Sequence, residues 1–197
     1  MIMVPIPPWN AAGVIPPINP ISPTSAKRSP YFVSLSDVVL HFGASADRRA
    51  ILDGFLRYRQ RLHAAGLVSG FQWLDGSFLE QVELLDGRPP KDLDVVTFFH
   101  LPPGATQSDV QARAPEAFPL TRAEWANVKA VFRVDPYYVD LDKPPERLVR
   151  SSTYWYSMWS HRRDASWKGC LQIDLGAAED ATAAGHFRTL PTTGATP

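Results

Sequence analysis

The segment Lys91-Asp92-Leu93-Asp94, running into Val95, Val96, Thr97, Phe98 and Phe99, constrains this chain more than any other. β-Branched and aromatic side chains suit the pleated, half-buried surface of a sheet, and Pro90 and Pro102 bound the run, which predicts a strand. Asp92 and Asp94 stand two apart on it, so alternation sends both carboxylates from one face, roughly 6 to 7 Å apart along the backbone. Two such charges raise each other's pKa and destabilise the ionised pair unless a cation neutralises them. Mg²⁺, or Mn²⁺ in its place, is the expected cofactor. Mg²⁺ takes oxygen ligands and favours sites made of one or two carboxylates plus substrate phosphates, so a phosphate-bearing ligand is expected with it.

The neighbouring segments supply a place for that phosphate. Phe71, Gln72 and Trp73 form a short strand-like run that ends at Leu74, Asp75, Gly76 and Ser77, and Phe78 to Leu85 predicts two helical turns before Asp86-Gly87 breaks them. Gly76 lets the backbone approach an anion closely, the start of the following helix offers free N–H groups, and Ser77 adds a hydroxyl donor. Elsewhere, Ile51, Leu52, Phe55, Leu56 and Leu62 share one face of a helix predicted from Ser45 to Ala65, with Gly66 as its terminator. Two further helices are expected between residues 106 and 132, the second opening with Thr121 and Glu124 in capping-box spacing. Asp135 to Leu141 and Cys170 to Leu175 are strand candidates. Between them, after Pro144 and Pro145, runs a helix whose Leu148, Trp155 and Trp159 share a face.

Eight of the nineteen prolines fall in the first thirty residues, which removes backbone donors and favours extended geometry. The chain therefore divides into a Pro-rich arm at 1–30, one domain at 31–189 and a flexible tail at 190–197. Isoleucine, valine and Trp9 between the prolines let the arm pack on its own domain, with a protein partner or self-association through the arm as the alternative. Twenty basic and twenty acidic residues balance, so any anion has to be met locally, and long nucleic acid is disfavoured as a partner. The single cysteine excludes a disulfide framework and fits a reducing, cytoplasmic setting. No apolar run reaches the ~20 residues of a membrane span, so no membrane partner is expected.

Strand, Gly-Ser, helix, loop and a strand opening Asp-x-Asp, in that order, resemble the signature of the polymerase-β-like nucleotidyltransferases over roughly residues 68 to 142. The resemblance implies an α+β fold, a small mixed β-sheet flanked by helices. It implies that Asp92 and Asp94 bind metal, that a third carboxylate on a later strand completes the site, and that Gly76 and Ser77 hold a nucleoside triphosphate. The implied reaction moves a nucleoside monophosphate onto a hydroxyl of a protein, an RNA end or a small molecule. Asp135 is the preferred third carboxylate, as metal ligand or as base for the acceptor, because Val134-Asp135-Pro136-Tyr137-Tyr138-Val139 looks like the family's third strand; Asp140 is the alternative. Pro136 suits an edge strand.

The chain departs from that family's pattern in two ways. Sixteen positions separate Gly76 from Asp92, and Phe78 stands where many members carry a basic or small residue. Arg162, Arg163 and Lys168 are the candidates for the missing charge. Glu80 and Glu83 read as solvated helix residues, Asp174 as a strand end, and Trp155 and Trp159 as core, which leaves Tyr154 or Tyr156 to stack a base. The chain also resembles an uncharacterised bacterial family that combines a Pro-rich start, Trp-x-Asp-Gly-Ser-Phe-x-Glu (Trp73 to Glu80), Asp-x-Asp, Tyr-Trp-Tyr-Ser (Tyr154 to Ser157) and Trp-Lys-Gly (Trp167 to Gly169). The competing function is a catalytically degenerate binding module, one half of a toxin–antitoxin or defence assembly.

Overall fold

Every residue of strand β3, Leu93–Phe99, is buried except Asp94, and a strand covered on both faces belongs inside a sheet with helices on either side. The computed structural model describes residues 2–191. In it β3 is joined by β1 (Tyr31–Phe32), β2 (Gly70–Asp75), β4 (Val134–Asp140) and β5 (Leu171–Asp174), in the order β1-β5-β2-β3-β4. β2 runs antiparallel to both β3 and β5, while β3 with β4 and β1 with β5 are parallel. The protein is thus α+β with a small mixed sheet. A parallel pair needs a crossover, and here α4 (Gln107–Arg113) and α5 (Arg122–Phe132) supply it between β3 and β4. Both open with a complete capping box, on Thr106 and Thr121. Pro136 lies on β4, at the sheet's edge, where its missing N–H costs no ladder bond.

Alternation along the strands splits the core in two. Leu74, Leu93, Val95, Val134 and Ile173 face α1 (Leu35–Phe42), α2 (Ala46–Ala64), α5 and α7 (Asp180–Thr189). Trp73, Val96, Phe98 and Val139 face Leu148, Trp155 and Trp159 of α6 (Pro145–Trp159), the stripe expected from sequence. On the first face Arg59 is fully buried yet satisfied: it donates to both Asp180 oxygens, to Gln72 and to three carbonyls at the end of β5. Strand β1 and helices α1 and α7 were not foreseen.

The predicted helix from Phe78 to Leu85 is instead a single 3₁₀ turn, Ser77–Leu79, followed by the four-residue α3, Val82–Leu85. The carbonyls that a continuous helix would use are taken from outside. Arg48 donates to those of Phe78 and Glu80, the Trp9 indole N–H donates to that of Leu79, and Phe78 itself turns into the core. The Pro-rich arm packs on its own domain: Val14 and Ile15 are buried, the Ile15 carbonyl accepts from Gly169 N–H, and the Gly13 carbonyl from Gln81 N–H. Of the predicted tail only Leu190 and Pro191 are described; 192–197 lie outside the described residues. No helix among the described residues is long and apolar enough to cross a membrane.

Where α2 passes the end of α5, a Cβ on Gly54 would fall 2.0 Å from the Phe132 carbonyl oxygen. Glycine to alanine in a free helix gains about 1 kcal/mol; here the clash is with backbone that cannot swing away. Gly54→Ala is expected to lose about 1–3 kcal/mol in urea denaturation, and a stabilised variant would contradict the observed helix crossing.

Candidate active site

The carboxylates converge because of register. Asp75, the last residue of β2, pairs with Asp94 on β3, and Asp94 pairs with Asp135 on β4. All three alternate with Trp73, Val96 and Val139, so they stand on the α6 face of the sheet, at the end of β3 and β4 where those strands begin. Asp92 lies one residue before β3 and joins them from the loop. Asp140, the alternative third carboxylate, sits at the far end of β4 opposite Phe99, on the other face, where Gln107 and Lys143 bind it. Alternation alone separates it from Asp135, since five residues apart means opposite faces.

Gly76 follows Asp75 at φ 87°, a left-handed backbone, and a Cβ there would lie 2.7 Å from Asp94 Oδ2. Glycine is therefore needed twice, for the turn and for the approach of Asp94. Half-buried Ser77 starts the 3₁₀ turn, and its carbonyl accepts the Glu80 N–H at 3.2 Å. The helix start expected to offer free N–H groups to a phosphate is reduced to this one turn.

Burial and like charge raise the Asp94 carboxyl from 3.8 to about 7: loss of solvent acts most, followed by the negative charges of Asp75, Asp92 and Asp135. Burial likewise lifts Asp75 to about 6, against the opposing pull of Lys168. Asp75 Oδ1 is buried with no hydrogen-bond partner among the described residues, while Oδ2 lies 3.0 Å from Lys168 Nζ. Two lysines balance the acids. Lys168, itself buried, bridges Asp75 and Glu80, each at 3.0 Å, and Arg162 Nε donates to the second Glu80 oxygen at 2.8 Å. Burial pulls the Lys168 pKa down, yet Asp75 and Glu80 hold it above its usual value. Glu80 is therefore no solvated helix residue; its carboxylate anchors both cations beside the Gly-Ser turn. Glu83 is likewise engaged, paired with the guanidinium of Arg48. Of the three candidate cations, Lys168 and Arg162 reach this turn and Arg163 points to solvent.

The second lysine was not anticipated. Lys129 Nζ lies 2.7 Å from Asp92 Oδ2 and 2.8 Å from Asp135 Oδ2, and Trp125 Nε1–H donates to Asp135 Oδ1 at 2.5 Å. Trp125 and Lys129 are one turn apart on α5 and so share a face. Only Arg133, in the left-handed conformation that often ends helices, separates α5 from β4, which holds both side chains in fixed relation to Asp135. Among the described residues no three His, Cys, Asp or Glu side chains form a group arranged to hold a metal ion; a lysine ammonium lies between two of the acids instead. Helix-turn spacing from Trp125 to Lys129 was visible in the sequence, but its direction toward Asp135 was not.

Residues 7–174 match a family of unknown function, DUF6932. No curated protein and no solved structure matches the chain.

The raised Asp94 pKa has a defined sign. The folded state binds its proton more tightly than the unfolded chain, so the stability due to the protonated form is present below about pH 4 and is lost as pH rises through about 7. Asp94→Asn, which cannot ionise, is expected to match the wild-type thermal midpoint near pH 4 and to exceed it increasingly up to pH 8, without added metal. A constant difference across that range would show that Asp94 is not strained by its neighbours.

Proposed function

We propose that this chain, which belongs to the DUF6932 family, is a Mg²⁺-dependent nucleotidyltransferase that moves a nucleoside monophosphate from a triphosphate onto an acceptor hydroxyl. The observation that carries the reading is the register-matched row Asp75, Asp94, Asp135, with Asp92 beside it and Gly76 against Asp94. On this reading the fold is of the polymerase-β-like nucleotidyltransferase type, and the setting is cytoplasmic.

The acids fit a divalent cation in chemistry. Asp94 carries its charge only against burial and the field of three neighbouring carboxylates, and a buried oxygen of Asp75 lacks a partner among the described residues. Asp92, Asp94 and Asp135 would hold Mg²⁺ or Mn²⁺, and Lys129, more than a third exposed, would swing clear on its flexible stem. The ion, when bound, would offset negative charge on the attacking and leaving oxygens of an in-line displacement. Gly76 admits the triphosphate close to the backbone, Ser77 donates its hydroxyl, and Lys168 and Arg162 supply positive charge where Phe78 supplies none. Asp135, oriented by the Trp125 indole N–H, takes the proton of the incoming hydroxyl as the hydroxyl oxygen bonds to the α-phosphorus. The bond to pyrophosphate breaks, and the leaving charge is met on the Lys168 side.

One observation favours the competing reading of a degenerate binding module: the Lys129 ammonium stands between Asp92 and Asp135, in the role a cation would fill. Thermal shift with ATP, GTP, CTP and UTP, each with and without Mg²⁺, separates the two. A hundredfold excess over Kd stabilises a binding protein by about 2.7 kcal/mol. Metal-dependent stabilisation is expected for the wild type and is lost in Asp92→Ala with Asp94→Ala. No triphosphate effect at all would favour the module.

Lys129 gives an independent check. Removing a competing cation from the acids is expected to lower the Mn²⁺ dissociation constant in Lys129→Met about tenfold, the equivalent of about 1.4 kcal/mol, by calorimetric titration. Weaker Mn²⁺ binding in this variant would mean that Lys129 supports the site instead of occupying it.

A further inference from the structure

The sheet order gives the carboxylate row two unlike flanks. On the β2 side stand Gly76, Ser77 and two cations, Lys168 and Arg162, that Asp75 and Glu80 hold beside the turn. On the β4 side stand three half-buried rings, Trp125, Tyr137 and Trp155. Tyr137 follows Asp135 by two on β4 and so shares its face, and the Trp125 indole donates to Asp135. The Tyr137 ring lies 5.3 Å from that of Trp125 and 4.5 Å from that of Trp155, at interplanar angles of 55° and 51°. Tilted in this way, the rings make a stepped wall next to Asp135 and continue on α6 to Trp159, 5.3 Å beyond Trp155.

An in-line displacement places the entering oxygen opposite the leaving one. With pyrophosphate leaving toward Lys168 and Arg162, the acceptor enters from the side of Asp135, past these rings. We propose that Trp125, Tyr137 and Trp155 form a stacking ledge for a nucleobase of the acceptor, so that the substrate modified is itself a nucleotide or the end of an RNA strand. The inference rests on the transferase reading and adds the acceptor class to it. Every base has a π-face, so a ledge of this kind holds bases with little regard to identity. Trp155, which its spacing marks as core, is then shared between the core and the ligand. Tyr154, a stacking candidate from sequence, is exposed and touches the edge of Trp155, one ring removed from Asp135.

The test measures acceptor binding to the full chain with Mg²⁺ and an ATP analogue whose α,β-bridging oxygen is a methylene, so that the donor side is filled without reaction. AMP, ribose 5-phosphate and a short single-stranded RNA are compared by tryptophan fluorescence and calorimetry on wild type, Tyr137→Leu, Trp155→Leu and Tyr137→Phe. Wild type is expected to bind AMP more tightly than base-free ribose 5-phosphate by roughly five- to a hundredfold, and both leucine variants lose most of that preference. Tyr137→Phe keeps the ring and retains it, which separates stacking from a folding defect. RNA tighter than AMP assigns the ledge to a strand end and the reverse to a free nucleotide; either supports it. Equal binding of AMP and ribose 5-phosphate, or an unchanged preference in both leucine variants, overturns the ledge and leaves the transferase reading standing. Failure of wild type to bind ATP with Mg²⁺ overturns the reading beneath it.

Discussion

Mutual repulsion among Asp75, Asp92, Asp94 and Asp135 is the constraint around which this protein is arranged. Desolvated carboxylates side by side are costly, and a pairing register that lines up three of them on adjacent strands offers no geometric escape. The chain answers with cations brought from two distant places. Lys129 comes from the helix that precedes β4, and Lys168 from the turn that follows α6. Even so, Asp94 stays raised to about 7, and one oxygen of Asp75 has no hydrogen-bond partner among the described residues. Residual strain of this kind is uncommon where only stability is at stake and frequent where a ligand completes the site.

Much of the remaining structure holds that row in place. Arg48 binds two carbonyls of the loop after Gly76 and pairs with Glu83, while the Pro-rich arm closes over the same loop through Trp9 and Gly13. The arm is thus a clamp on the Gly-Ser turn. Cavities of about 260 Å³ near Asp140 and about 470 Å³ beneath Trp9 and Tyr31 lie apart from the acids. The four acids gather at the end of the sheet where β3 and β4 begin, with the rings of Trp125, Tyr137 and Trp155 on one side and Lys168 and Arg162 on the other.

Pattern determined the strand from Leu93, the helix expected from Ser45 to Ala65 and found over Ala46–Ala64, the capping box at Thr121 and the apolar stripe on α6, because each rests on neighbours within a few residues; the α+β class came from the family resemblance. The pairing of Asp-x-Asp with Gly-Ser was also legible, since a glycine closing a strand and two acids opening the next leave a local mark. Strand β1 and helices α1 and α7 escaped notice; the first is two residues long, and α7 carries an alanine-rich pattern with one buried side chain. Three facts had no local mark at all. Asp75 meets the Asp94 carboxylate only because a strand partner nineteen positions away is paired with it, Glu80 becomes an anchor only when Lys168 arrives, and Lys129 meets Asp92 only after the crossover returns to the sheet. The sequence determined which residues carry charge and which segments turn into strands. Tertiary pairing alone decided which of those charges face one another, because electrostatic energy depends on distance in space and the register between strands is set by the whole core.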